Sequence, residues 1–348
     1  MPSRPWRFFQ SRRCAISVSP IAACKEPTIH LAIALVAPSR LAKEALAAPD
    51  GSATACAVCH APVGQDAAVR LGKSHLTVCS RCGSWTYFPR PTPEEQARIH
   101  DDSEYFDHPY FELRRRVTPT QRRRCRDIFW RLSVACGFTA LRGQRLLDIG
   151  CDTGVFLRAA REEFGVVPIG IDVSARAVAA AQQEGIEAYQ TLLEEAPPHL
   201  TGLSLATAID VIEHVSDPGA FLREVRSRLA PGGVVYVETP NIRSAVYGLG
   251  RALSRIMPGS GSAMIQRLFP PQHVQYFTPP SLNWLAREAD LEVVRMDTRV
   301  LPLSDIAASV ATRLAVGVLQ VLDRVLRREI LVWAILRRPR ESGGEVLA

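Results

Sequence analysis

Three sets of side chains are spaced for chemistry. The first lies in residues 145–154, Arg-Leu-Leu-Asp-Ile-Gly-Cys-Asp-Thr-Gly. An apolar run carrying Asp148 breaks into the turn Gly150-Cys151-Asp152-Thr153-Gly154 and resumes as a helical pattern, Val155 to Ala160. Glycine has no Cβ to clash and takes positive φ, so such a turn lets backbone approach a ligand closely. It also aims the first free N–H groups of the following helix at that ligand. Asp172, eighteen residues beyond Gly154, ends a second apolar run that starts at Val166. A carboxylate at the tip of the next strand can accept from both hydroxyls of a ribose. The second set is Cys56-Ala-Val-Cys59 and Cys79-Ser-Arg-Cys82, with nineteen residues between the pairs. Two Cys-x-x-Cys pairs at this spacing supply four thiolates for a tetrahedral zinc ion. His60 and His75 are available as substitutes, but the cysteine set is already complete. A closed four-sulfur site has no open position for substrate, so its role reads as structural. The third set is Asp210, Glu213 and His214, with His273 much later in the chain.

These residues need a scaffold, and the pattern from 145 to 240 alternates strand and helix. That argues for a parallel sheet with helices on both faces. Ser174 caps a helix over Ala175–Gln183 that Gly185 ends. Further strands are expected at Ile186–Tyr189, Leu205–Ile209 and Val234–Glu238, with a helix at Gly219–Leu229 and the turn Pro231-Gly-Gly before the last of these strands. A helix over Leu282–Glu288, a strand over Leu291–Met296, an amphipathic helical stretch over 304–328 and a final strand in Glu329–Leu336 complete the pattern. In such a sheet the ligand crevice lies beyond the carboxyl ends of the strands. The insertion 240–272 leaves the sheet at that end and is placed as a lid over substrate.

The stretch around Asp148 resembles motif I of class I S-adenosylmethionine-dependent methyltransferases, usually Asp-x-Gly-x-Gly-x-Gly. Asp148, Gly150 and Gly154 match it, and Asp172 takes the acidic position of the second strand. Asp152 stands where the middle glycine is expected; Asp tolerates left-handed backbone better than most residues. Glu213-His214-Val after the fourth strand and Pro231-Gly-Gly before the fifth resemble the small-molecule O- and C-methyltransferase branch. The resemblance implies S-adenosylmethionine as cofactor. Its pocket would be formed by Asp148, Gly150, Cys151, Asp152, Gly154, Asp172, Val173, Thr191, Leu192 and Asp210. It also implies a doubly wound, mostly parallel seven-stranded α/β sheet, Rossmann-like, carrying a small N-terminal zinc ribbon. A nicotinamide-binding turn would space its glycines as Gly-x-Gly-x-x-Gly, which this stretch does not.

Methyl transfer is an in-line displacement, so the enzyme must above all hold the nucleophile close and aligned. His273 reads as the general base, with Glu213 or His214 orienting it or the substrate. A second use of the same residues is suggested by Glu-x-x-Glu-His in ubiquinone-pathway O-methyltransferases and a similar set in small-RNA 2′-O-methyltransferases, which holds a divalent metal. Here Asp210 replaces the first Glu, and Glu213, His214 and His273 make a mixed O/N set for Mg²⁺ or a transition metal. The alternative is that Asp210 and Glu213 cap the next helix and His214 packs below the cleft.

Five segments follow: an extension over 1–50, the zinc-ribbon-like segment at 51–90, and a strap with a basic helix at 91–140. The methyltransferase domain with its lid spans 141–300, and a C-terminal helix and last strand take 301–348. The strap carries Pro89-Arg-Pro and the pairs Tyr105-Phe106 and Tyr110-Phe111. Arg114–Arg116, Arg122–Arg124, Arg126 and Arg131 are read either as a wet helix face or as a grip for phosphates, including those of RNA. The net charge is +7 with only three lysines, Lys25, Lys43 and Lys73. No apolar run reaches the roughly 18–20 residues that span a bilayer, although the arginines near 304–338 allow peripheral membrane contact. Nine cysteines in 348 residues do not make a disulfide scaffold, and a reducing, cytoplasmic setting follows. The expected activity is methyl transfer to an O or C atom of a small acceptor: a sugar, a lipid-linked molecule or a polyketide-type intermediate. The competing readings are an RNA methyltransferase and a binding module whose cofactor site has decayed.

Overall fold

The computed structural model describes residues 55–64, 67–71, 74–90, 116–137, 141–256, 265, 268–270, 272–303 and 310–340. The extension over 1–50, the strap residues 91–115 and residues 257–264 of the insertion lie outside them. In chain order the elements are β1 (Val69–Leu71), β2 (Ser74–Val78), β3 (Trp85–Phe88), α1 (Pro119–Cys136), β4 (Arg145–Ile149), α2 (Val155–Phe164), β5 (Val167–Asp172), α3 (Ala175–Gln183) and β6 (Glu187–Gln190). They continue with β7 (Leu203–Ile209), α4 (Pro218–Arg228), β8 (Leu229–Pro240), α5 (Ala245–Ile256), β9 (Gln275–Tyr276), α6 (Pro279–Glu288), β10 (Glu292–Arg299), α7 (Val310–Val325) and β11 (Leu331–Arg337).

Helix starts follow from cap chemistry. Thr118 caps α1 through Gln121 N and Thr278 caps α6 through Ser281 N, each with a reciprocal capping box and a proline in the first turn. Ser174 accepts from Ala177 N and Asp217 from Ala220 N, which starts α3 and α4. Glu213 therefore caps nothing; Asp217 starts that helix. The central strands are near-continuous apolar runs because both their faces are covered.

Seven strands form one sheet in the order β10-β11-β8-β7-β4-β5-β6. Five of them, β8-β7-β4-β5-β6, pair in parallel, and β11 and β10 close one edge antiparallel. The chain winds outward in one direction through β4, β5 and β6 and in the other through β7 and β8. The crevice at that switch point opens beyond the ends of β4 and β7. One face is filled by α1, α2 and α3 around Phe129, Leu146 and Leu157. The other is filled by α4 and α6 around Phe221, Leu285 and Val237.

The doubly wound sheet expected from the sequence is present, with shifts at element ends. The second strand of the parallel set runs to Asp172 itself, and β7 begins at Leu203. β8 begins at Leu229, so the Pro231-Gly-Gly turn sits inside the paired segment, beside a register shift between Leu203 and Leu205.

The N-terminal strands do not stand apart as a separate ribbon. β1, β2 and β3 form a second sheet whose fourth strand is β9, contributed from residues 275–276. Cys56, Val58, Cys59, Cys79 and Cys82 share a core with Phe277, Leu282 and Leu285. Helix α5, within the insertion, packs Val246 and Tyr247 against Trp85, Phe269 and Tyr276. Among the described residues no helix is long and apolar enough to cross a membrane.

Candidate functional site

Asp148 ends up buried at 4% exposure near the end of β4, where it accepts from Thr207 Oγ1 at 2.6 Å. Burial pushes its carboxyl up to about 7, and the neighbouring Asp172 adds to the shift. The turn behind it is shaped by positive φ: Gly150 at +73°, Asp152 at +48° and Gly154 at +72°. Asp152 thus takes the left-handed conformation that a middle glycine would supply. Its N–H donates to Asp172 Oδ2 at 2.9 Å, and Ser174 N–H donates to Asp172 Oδ1 at 2.9 Å. Each carboxylate oxygen has a further lone pair, so Asp172 is fixed in place and still fits a diol. Cys151 is buried over Gly170, where a Cβ would meet its sulfur at 2.5 Å, so its side chain packs the turn. Val173 and Leu192 are apolar yet 37% and 51% exposed, on loops that the Thr191 N–H to Asp172 C=O bond of 3.0 Å ties together. Two such surfaces beside Asp172 suit a flat base.

A Cβ added at Gly150 would meet Val211 Cγ2 at 2.5 Å. Gly150→Ala combines that overlap with a strained backbone of about 1–3 kcal/mol. Chemical denaturation should find the variant less stable by at least that amount; an unchanged midpoint would contradict the close approach.

Asp210 pairs with Arg124 at 3.2 Å, with its side chain 42% exposed, and is not among the ligand atoms that meet within 4.8 Å at Glu213, His214 and His273. Arg124 and Arg299 both hold Glu238, at 2.6 and 2.5 Å, and Tyr236 OH donates to it at 2.7 Å. Burial alone would raise the Glu238 carboxyl, but the two guanidinium groups hold it well below the usual range. Further along α1, Arg122 and Arg126 pair with Glu163, and Arg131 donates to Tyr236 OH at 3.1 Å. The arginines expected as a phosphate grip are therefore engaged by internal partners wherever these bonds are made; Arg114 and Arg115 lie outside the described residues.

Glu213, His214 and His273 do converge. One ligand atom of each lies within 4.8 Å of the others, and the imidazole centroids are 4.7 Å apart, edge to face. His214 Nδ1 lies 2.9 Å from Gln272 C=O. A carbonyl only accepts, so Nδ1 carries the proton and Nε2 has the lone pair. Glu213 is 1% exposed. Its Oε2 accepts from Thr239 Oγ1 at 2.9 Å, while its Oε1 has no hydrogen-bond partner among the described residues. Burial, with Asp210 adding to it, pushes this carboxyl well above its usual range. A buried carboxyl with one unpaired oxygen beside two imidazoles fits a divalent cation or a shared proton. Backbone bonds fix the group: Val274 N–H donates to Glu213 C=O at 2.9 Å, and Tyr87 N–H donates to Val274 C=O at 3.0 Å.

The four cysteines also converge. Cys56 and Cys82 sulfurs are 3.6 Å apart, Cys59 and Cys79 3.5 Å, and all four lie within 4.8 Å. Tetrahedral Zn–S bonds of about 2.3 Å place sulfurs about 3.8 Å apart, so the set fits zinc. His60 bonds Glu288 at 2.6 Å and His75 stacks on Phe88, so neither substitutes for a cysteine.

Sequence reading missed Arg299, Thr207 and Thr239, and it took Arg124 only as part of a basic run and Glu238 only as a strand end. Glu238 alone had a signal, a lone carboxylate in an apolar strand; its partners lie 61 and 114 residues away.

The doubly wound sheet and the glycine turn between Asp148 and Asp172 define a class I S-adenosylmethionine-dependent methyltransferase. The chain belongs to the family described as Methyltransferase domain, whose model matches residues 117–296. It is 28% identical over 176 residues to a ubiquinone biosynthesis O-methyltransferase of Cupriavidus pinatubonensis, covering 48% of this chain and 67% of that protein. The counterpart in Xanthomonas campestris pv. campestris (strain B100) is 30% identical over 174 residues, covering 47% and 69%. Among solved structures, plantazolicin methyltransferase BpumL is similar at 18% identity and a TM-score of 0.49, covering 70% of this chain and 94% of that one.

Proposed function

We propose that this methyltransferase transfers the methyl group of S-adenosylmethionine to a hydroxyl oxygen of a small acceptor, such as a sugar, a lipid-linked molecule or a polyketide-type intermediate. The observation that carries this reading is the convergence of Glu213, His214 and His273 just past the end of β7, beside the cofactor turn. The names of the relatives, both O-methyltransferases, support oxygen over carbon. The acceptor oxygen attacks the methyl carbon as the C–S bond breaks, and S-adenosylhomocysteine leaves. His273 takes the hydroxyl proton, and Glu213 holds the imidazole cluster in place. A divalent cation, if bound, would be held by Glu213, His214 and His273 and would polarise the acceptor hydroxyl. The zinc assignment for Cys56, Cys59, Cys79 and Cys82 belongs to the same reading, with a structural role.

Cofactor binding is the first test. Calorimetry should detect S-adenosylmethionine binding that Asp172→Asn weakens by roughly tenfold or more, the loss of a charge-assisted hydrogen bond. No binding to the parent protein would end the proposal. The cofactor carries a net positive charge, which favours ionised Asp148. With that carboxyl held up to about 7, affinity should rise as pH rises from 5.5 to 7.5, with proton release on binding. The same shift acts oppositely on the free protein. The folded state keeps its proton where the unfolded chain has lost it, so stability falls as pH rises between roughly 4 and 7. Asp148→Asn should flatten both profiles.

A further inference from the structure

Helix α7 turns an apolar stripe to solvent. Val310, Leu314, Val318, Val321 and Val325 recur at intervals of three and four residues and are 65–76% exposed. Helix α5, which packs along α7, adds Ile256 at 76% exposure. The opposite face of α7 is anchored. Asp323 is fully buried and accepts from Ala245 N–H at 2.8 and 2.9 Å, and Gln320 Oε1 accepts from Leu301 N–H at 2.9 Å. The helix therefore cannot roll its stripe inward without breaking buried polar bonds. Contiguous apolar surface of this kind marks an interaction site.

Charge selects the occupant. The two helices carry Arg251, Arg255 and Arg324, and Arg327 follows α7, whereas the next residue, Arg328, pairs with Asp323 at 3.5 Å. Their only carboxylate is the buried Asp323. A two-fold contact with a second copy would set this arginine-flanked face against itself, like charge against like. An anionic lipid surface matches both the stripe and the arginines. At 16 residues, α7 is about 24 Å long, shorter than the roughly 30 Å hydrocarbon core, so it would lie in the interface rather than cross it. We infer that α5 and α7 form a docking face for an anionic bilayer, the apolar stripe entering the headgroup boundary and the arginines meeting lipid phosphates. The same helices carry Tyr247 toward Tyr276, whose ring lies 5.6 Å from that of His273, so docking would present the acceptor side to the lipid.

The test is flotation of the full chain with vesicles of phosphatidylcholine, with and without phosphatidylglycerol. The parent protein should bind the phosphatidylglycerol vesicles at least about tenfold more tightly than the neutral ones, and less tightly as salt rises. The double variant Val318→Glu, Val321→Glu alters exposed positions only, and its melting temperature and S-adenosylmethionine affinity should match the parent. It should lose at least about tenfold in vesicle affinity. Failure of the parent to float with phosphatidylglycerol would overturn the inference, as would equal binding by the variant. A parent dimer that the variant dissociates, without vesicle binding, would assign the face to a second copy instead. None of these readouts needs acceptor or turnover, so they stand or fall apart from the proposed reaction.

Discussion

Replacing His273 with Ala is expected to slow methyl transfer by roughly 10²–10⁴-fold while S-adenosylmethionine affinity changes by less than about threefold. The separation follows from the geometry. His273 reaches Glu213 and His214 from the segment before β9, whereas Asp148, Gly150 and Asp172 belong to β4, β5 and the turn between them. Glu213 is bonded by Thr239 on one oxygen only, so removing an imidazole beside it leaves a more poorly satisfied buried carboxyl as well. A near-parental rate in His273→Ala would remove both its role as base and its role as ligand. The two roles are then told apart in the parent protein. Treatment with EDTA mild enough to leave any metal at the four cysteines in place abolishes turnover if a divalent cation sits at the cluster, and added Mg²⁺ or Mn²⁺ restores it. Full activity after that treatment assigns His273 as base.

Most of the sheet was legible in the sequence because its signals are local. Ser174 announces a helix start through its own cap, and the apolar runs of β4, β7 and β8 need both faces covered. Asp148, Gly150 and Gly154 sit within seven consecutive residues, so their turn could be read before any pairing was known. Long-range pairing could not. Nothing local to Gln275-Tyr276 says that two residues past the insertion complete the N-terminal sheet beside Trp85 and Thr86. Asp210 was legible as an acid at a strand tip, but its pairing depends on Arg124, 86 residues earlier. The arginine run was open between a wet helix face and a phosphate grip for the same reason: charge runs in a sequence do not display partners such as Glu163 and Tyr236.

That shared sheet makes the second large effect. Removing the metal from the cysteine site, or replacing Cys79 with Ser, should lower the methyl-transfer rate by roughly 10²-fold while leaving cofactor binding nearly intact. β1, β2 and β3 together span few residues, so zinc at the four cysteines, as proposed, would add to the core they share with α6 and α5 in holding them; structural zinc typically contributes about 10–16 kcal/mol of binding. The second knuckle is joined to the far segment by Thr278 Oγ1, which donates to Cys82 C=O at 3.3 Å, and Trp85 and Thr86 pair with Tyr276 and Gln275. Tyr87 N–H holds Val274, the residue after His273, from the other side. Loosening the knuckles therefore releases the backbone on which His273 is mounted, and a displacement of about 1 Å can cost 10²-fold in rate. Hydrogen exchange supplies a readout independent of turnover. Amides of Leu76, Tyr87 and Tyr276 should lose protection in the metal-free protein while those of Leu147 and Ala206 keep theirs. Metal removed in full with protection and rate both unchanged would show that the cysteine site does not position His273, and the sheet would then stand on its pairing with β9 and its apolar contacts instead.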